Sequence, residues 1–391
     1  MKDKMDKILY IAPQSTRAYG AEEQDLQSGR VILNKLENVD FYDIQISLKG
    51  RFIEYSFEAD LENVVISITD ILRYFLIRWS TLDRAMTQAY TFKNYLKILK
   101  IVKKLEIDII ITNTTSTVLF GIQQYAKHVF RSVSFEPVYV LKAVDSKFKA
   151  YIHAVLKLLS IHKEFRADII LAISPRDANY YRKVDLSRSH KILIMPLRQF
   201  YNYKSKHDKL TINKRLNVGF LGSTYNVLHN RKSFDFILKK IPSSFWLENR
   251  IKLNIYGRKI PPLVGGLPSI DICNWINDID EVYKTNQCFL VPYFLSSGMQ
   301  SKVFEPLLRG RVLICDPRVL SGYSFIPFQH YIPATTALDF VTALSWVNLN
   351  FYEASNIAYS ARSQAEKLIG QELLMHQTKL FLNDAQQNKK R

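Results

Sequence analysis

Along the whole chain, short apolar runs bounded by turn residues alternate with longer amphipathic stretches. This pattern admits few architectures, because each run suits a buried strand and each intervening stretch a covering helix: it reads as βαβα around mostly parallel sheets. The first half predicts strands at 7–12, 41–47, 108–112, 131–135, 168–173 and 191–195. Helices are expected at 21–36, within 61–105 (more than one), and at 116–127, 142–165 and 176–183. A polar, aromatic and basic segment without periodicity, 196–213, interrupts the series and is the expected domain connection. Beyond it strands recur at 216–221, 252–256, 270–273, 288–292 and 312–315, with helices at 234–240, 280–285 and 301–309 and polar helices from 337 onward. The fold class is therefore α/β, as two Rossmann-like doubly wound domains facing a central cleft. The expected boundaries are 1–205, 206–360, and a helical tail, 361–391, packing back on the first domain. A chain of 391 residues is long enough for two cores.

Charge narrows the partners. The chain carries +18, with 31 basic and 22 acidic residues through Ser205 and 23 and 14 after it, so both halves attract anions and neither has a basic tail. The cysteines Cys273, Cys288 and Cys315 are widely spaced and form no Cys-x-x-Cys pair, which argues against a disulfide framework or structural zinc and fits a reducing cytosol. No apolar run is long enough to span a bilayer, so any membrane contact is expected to be peripheral.

Open α/β sheets bind ligands beyond the carboxyl ends of their strands, and the most informative stretch lies there: Gly298-Met299-Gln300-Ser301-Lys302-Val303-Phe304-Glu305. Gly298 lets the backbone approach a ligand, and the helix that follows offers amides and a positive dipole end to a diphosphate. Lys302 and Glu305, three apart on that helix, place a cation for phosphate and a carboxylate for sugar hydroxyls on one face. Here the sequence resembles the GT-B glycosyltransferases, in particular the retaining glycosyltransferase family four. In that resemblance Glu305 matches the glutamate that binds the donor ribose. Ser297 stands where many members have a second glutamate, and Gly298 to Glu305 is similar to the Gly-x-Gln-x-Lys-x-x-Glu variant of polysaccharide enzymes. Gly222 and Ser223 resemble the first glycine turn of the donor domain, Arg231 and Lys232 lie where the family supplies a phosphate-binding cation, and Trp275 to Asp278 resembles the segment near the donor base.

The resemblance implies that the first domain binds an acceptor and the second a nucleotide-diphosphate sugar as substrate, without a cofactor or metal. The transfer it implies is retaining: the leaving diphosphate, with Lys302 beside it, helps deprotonate the acceptor. The acceptor is expected to be a saccharide or a lipid-linked one in bacterial surface polysaccharide synthesis. Glu136 is the first-domain candidate for orienting or deprotonating it, the alternative being a turn carboxylate paired with a cation. The basic, aromatic stretches 141–166 and 71–79 suit an anionic membrane surface, the alternative being core packing. Asp278-Ile279-Asp280 reads as helix capping, with Asp280 before the helix, rather than as a metal site. Two other functions compete: a non-catalytic nucleotide-sugar binder, and a nucleic-acid-binding protein favoured by charge alone and lacking a recognition motif. No Gly-x-Gly-x-x-Gly follows the first strand, which disfavours a nicotinamide dehydrogenase.

Overall fold

The computed structural model describes residues 6–387 apart from 14–20, 47–52, 56, 59–60, 62–63, 80–90, 114–121, 123, 133–136, 139–140, 142–145, 188–190, 199, 201–209, 212–214, 263–267, 277 and 295–297. The first lobe runs β1 (Asp6–Pro13), α1 (Ala21–Asn34), β2 (Val39–Ile46), β3 (Ile53–Tyr55), α2 (Ile68–Trp79), α3 (Phe92–Leu105), β4 (Ile109–Asn113), β5 (Lys127–Ser132), α4 (Lys147–Ser160), a 3-10 turn (Ile161–Arg166), β6 (Ile169–Ala172), α5 (Pro175–Val184) and β7 (Lys191–Ile194). Its sheet has the order β3-β2-β1-β4-β5-β6-β7, parallel except for the antiparallel edge strand β3. β1 lies inside, and Ile8 to Ala12 are wholly buried on both faces, the composition a central parallel strand requires.

The second lobe comprises β8 (Leu216–Thr224), α6 (Leu228–Lys240), α7 (Ser243–Glu248), β9 (Ile251–Arg258), β10 (Ile270–Asn274), α8 (Ile279–Thr285), β11 (Cys288–Val291), α9 (Ser301–Leu308), β12 (Val312–Cys315) and β13 (Ile332–Pro333). Its six strands are all parallel in the order β10-β9-β8-β11-β12-β13. Three helices close the chain: α10 (Ala337–Leu349), α11 (Phe351–Ile369) and α12 (Gln371–Gln387). α10 opens on a capping box between Thr336 and Asp339.

Three strands differ from expectation in an instructive way. β5 begins at Lys127 rather than 131, because its polar residues find partners inside: Lys127 pairs with Asp168, His128 bonds Thr112 at 2.7 Å and Arg131 reaches Asp25. The three-residue β3 and two-residue β13 are too short to carry a periodic signal.

One apolar cluster joins the lobes. It contains Ile8 and Val129 of the first sheet, Leu197 and Phe200 of the connection, Met299 and Phe304 of the second lobe, and Leu374 and Phe381 of α12. Asp384 of α12 also pairs with Lys191 of β7 at 2.5 Å. The connection is held from below as well. Asp25, fully buried on α1, accepts from the Arg198 backbone N at 2.5 Å and from both the Arg131 and Arg198 guanidinium groups. Arg198 also donates to Tyr10 and Asn113.

Candidate functional site

α5 starts beyond the carboxyl end of β6, and the loop bearing Gly298 lies beyond the carboxyl end of β11. The two meet: the Gly298 backbone N donates to the Asp177 carboxylate at 3.1 and 3.3 Å. Asp177 is itself set by Ser174, which caps α5 and accepts from the Asp177 N at 3.1 Å. The carboxyl edges of the two sheets therefore face one another. Around this contact Arg176 donates to the Tyr293 hydroxyl at 3.0 Å, the Arg318 guanidinium lies 4.7 Å from the Tyr293 ring centre, and Leu197 N reaches Met299 Sδ at 3.4 Å. A cavity of about 10 Å³ remains between Ser174, Arg176, Tyr293, Gly298 and Gln300, room for about one water. A larger hollow of about 1160 Å³ lies at the opposite, amino edges of β1, β2 and β4 against α12, away from where open α/β sheets bind ligands.

Gly298 has φ +79°, a left-handed conformation that glycine adopts without strain, and it turns the chain into α9. The cap residue Gln300 makes no side-chain hydrogen bond to the helix, so α9 starts without a side-chain cap from its own N-cap residue. The other end is closed by Gly310 at φ +60°: Arg311 N bonds Pro306 O and Gly310 N bonds Leu307 O, a Schellman motif. Val303, Phe304, Leu307 and Leu308 bury one face of the helix, leaving Ser301, Lys302 and Glu305 half-buried on the other.

Lys302 is the telling residue. Its Nζ donates to Asn230 Oδ1 at 3.1 Å, and among the described residues no carboxylate pairs with it. Burial alone pushes its pKa down to about 8. The Asn230 amide is oriented by its Nδ2, which donates to Thr224 O at 3.0 Å and leaves the oxygen for the ammonium. Next to it His229 carries a buried Nδ1 with no hydrogen-bond partner among the described residues, and burial together with the Lys302 charge holds its pKa down to about 4. α6, which carries both residues, has no side-chain cap at its start either. Two uncapped helix starts and one uncompensated ammonium thus gather in one place, an arrangement suited to a multiply charged anion. Glu305, one turn along, accepts from the Tyr283 hydroxyl at 2.8 Å. Tyr283 is wedged between the Phe289 ring at 4.8 Å and the Arg309 guanidinium at 4.5 Å, which fixes the carboxylate's direction.

The remaining predicted residues are dispersed. Gly222 lies within β8 at a bulge, where a Cβ would come within 2.9 Å of the Tyr225 ring; Ser223 beside it is exposed. Opposite, Gly257 at φ +143° would bring a Cβ within 2.0 Å of Gly222 O, so the pair lets the ends of β8 and β9 close together. Arg231 and Lys232 are exposed, and Arg231 faces Asp235 one turn on at 3.7 Å; Asn230 is the α6 residue that meets Lys302. Met299 is buried in the shared cluster and Gln300 lines the small cavity. The cap of α8 is Asp278, which accepts from Asp280 N at 2.9 Å, while Asp280 pairs with Arg309. Among the described residues no three His, Cys, Asp or Glu group as metal ligands would. Ser297 and Glu136 lie outside the described residues. Sequence reasoning missed His229, Asn230, Arg176 and Asp177. The first two were masked by the adjacent basic pair, and the last two acquire meaning only from the opposing lobe. It also missed Arg258, stacked 4.4 Å from the Trp275 ring centre at the same sheet edge.

Neither a protein-family model nor a curated protein sequence matches the chain. Solved structures do. Sucrose-phosphate synthase from Thermosynechococcus elongatus aligns at TM-score 0.60 and 15% identity over 97% of this chain and 98% of its own. HepE from Anabaena, solved with UDP-glucose, aligns at 0.62 and 12% over 97% and 99%. A glycosyltransferase from Rickettsia africae aligns at 0.60 and 13% over 98% and 99%. Similarity of this kind, over both lobes and at such low identity, is similarity of fold: the chain has the two-lobed α/β architecture of the GT-B glycosyltransferases.

Proposed function

We propose that this chain is a glycosyltransferase that binds a nucleoside diphosphate sugar against α9 and passes the sugar to an acceptor held by the first lobe. One observation carries the reading: Lys302, an ammonium with no carboxylate partner among the described residues, is held half-buried at the uncapped start of α9, one turn before Glu305. Its state is costly unless an anion arrives. A diphosphate between the starts of α9 and α6 would supply that anion, and Glu305, directed by Tyr283, would receive the ribose hydroxyls.

The chemistry that follows needs little from the protein beyond position and charge. As the bond from sugar to phosphate breaks, negative charge grows on the departing diphosphate, where the helix end and Lys302 stabilise it. The acceptor oxygen bonds to the anomeric carbon on the face the diphosphate leaves while its proton passes to the departing phosphate oxygen, which gives retention and requires neither a metal nor a covalent nucleophile. Glu136 remains the candidate for orienting the acceptor hydroxyl. HepE, solved with UDP-glucose, makes UDP-glucose the first donor to try. The acceptor class we infer is a saccharide or lipid-linked saccharide of a bacterial surface polysaccharide, met at the cytoplasmic side of the membrane.

A second reading, a binder that does not turn its donor over, is favoured by Ser297 in place of a carboxylate. A panel of nucleotide sugars scored for both binding and release of nucleoside diphosphate separates the two. Release with at least one donor, lost in Lys302→Ala, is the expected result. Binding without release selects the binder, and no binding by any member removes both readings.

A further inference from the structure

α4 is packed inside out. A crossover helix between parallel strands normally buries its large apolar side chains against the sheet and turns its charges to water. In α4 the residues seen to be buried are Ala150 and Ala154, whereas Phe148 is 75% exposed, Tyr151 is 65% exposed, and Ile152, Val155, Leu156 and Leu158 also stand in solvent. At 3.6 residues per turn these six fall on one side of the helix, with the two alanines opposite and Lys147 and Lys149 at its two margins. The segment Lys147–Ser160 contains no acidic residue. A second stripe lies in the same helical layer: α2 exposes Ile68, Leu72 and Phe75, spaced as successive turns, while its Tyr74 shares an apolar cluster with Ile161 at the end of α4.

We propose that this face of the first lobe docks on an anionic lipid bilayer, with the apolar side of α4 at the boundary of headgroups and acyl chains and Lys147 and Lys149 against lipid phosphates. The lysine margin decides the partner. A second copy laid on this face would bring two lysine rims of a +18 chain together, whereas an anionic surface complements them. Among the described residues no helix is long and apolar enough to cross a membrane, so α4 lies on the surface and does not span it. The surface also has a use, which rests on the transferase reading: docking the acceptor lobe on the bilayer puts the cleft within reach of a sugar carried on a lipid. Adsorption itself does not depend on that reading.

Flotation of the full chain with vesicles tests this, without nucleotide sugar present. The chain is expected to float with vesicles of phosphatidylcholine mixed with phosphatidylglycerol, to float poorly with phosphatidylcholine alone, and to lose binding as salt rises. Lys147→Gln with Lys149→Gln should weaken adsorption about 30-fold. Phe148→Asp with Leu156→Asp should abolish it while leaving the melting curve and UDP binding unchanged. The proposal is overturned if the wild-type chain stays in the lipid-free fraction or if the aspartate variant floats as the wild type does. A concentration-dependent dimer that the same aspartates dissolve also overturns it, in favour of a second copy. Vesicle binding without donor turnover would sink the transferase reading and leave this one standing.

Discussion

Both lobes bury positive charge, and they treat it in opposite ways. In the first, Arg131 and Arg198 converge on the fully buried Asp25, whose carboxyl they hold down to about 2, and further donors and acceptors complete the cluster. In the second, Lys302 has a neutral amide as its partner and sits at about 8 through burial. A compensated buried charge is architecture, here tying the connection between lobes to β5 and α1. An uncompensated one is held at a cost that a ligand would remove. The contrast separates the proposed site from the scaffold better than burial or basic character does, since by those measures Arg198 would be the stronger candidate.

The contrast breaks most visibly at Asp25. Asp25→Ala leaves two buried guanidinium groups without a counter-charge and should cost about 3–5 kcal/mol in denaturant unfolding, whatever its effect on activity. A loss below about 1 kcal/mol would show that Asp25 is not the keystone of that cluster. Lys302→Met should do the reverse. Donor turnover should fall about 100-fold, with unfolding unchanged or slightly harder, because a buried charge has been removed. Equal turnover in variant and wild type would remove Lys302 from the site.

Titration sharpens the comparison further. A diphosphate favours the charged ammonium, so donor affinity should be level below about pH 8 and weaken about tenfold per unit above it; Lys302→Met should flatten that slope. Stability should move in different windows. The unfolded chain holds the Lys302 proton more tightly than the folded one, so this group adds stability as pH rises from about 8 toward the ordinary lysine value of 10.5. Asp25 adds stability above the ordinary carboxyl value of 3.8, lost as pH falls toward about 2. The smallest effect is expected of Glu305→Gln, which keeps an acceptor for Tyr283 but loses the charge; donor KM should rise about fivefold, read against a nucleoside diphosphate lacking the 2′-hydroxyl. An unchanged KM would detach Glu305 from the ribose.

The alternation of apolar runs was enough to read both sheets, because β1, β4, β11 and β12 are buried and mostly apolar and β8 and β9 carry buried apolar centres. It misplaced β5, whose lysine, histidine and arginine look like loop residues until their partners on β4, α1 and the turn before β6 are known. The shared helix face of Lys302 and Glu305 was legible because both lie on one short helix, where spacing decides which face they share. Asn230 was not. Beside Arg231 and Lys232 it is the least conspicuous residue of the three, and only the approach of α9 to α6 gives it a role. Asp177 was illegible for the same reason at longer range, since its contact with Gly298 spans 121 residues of sequence.

The apolar cluster that runs from Ile8 through Phe304 to Phe381 has a consequence for how the molecule comes apart. Lobes that touched through a polar crevice alone would melt separately, each with its own heat-absorption peak. With Leu197, Met299 and Phe304 sharing one interior, neither lobe can lose its packing without exposing the other's, so the whole chain should unfold in a single calorimetric transition.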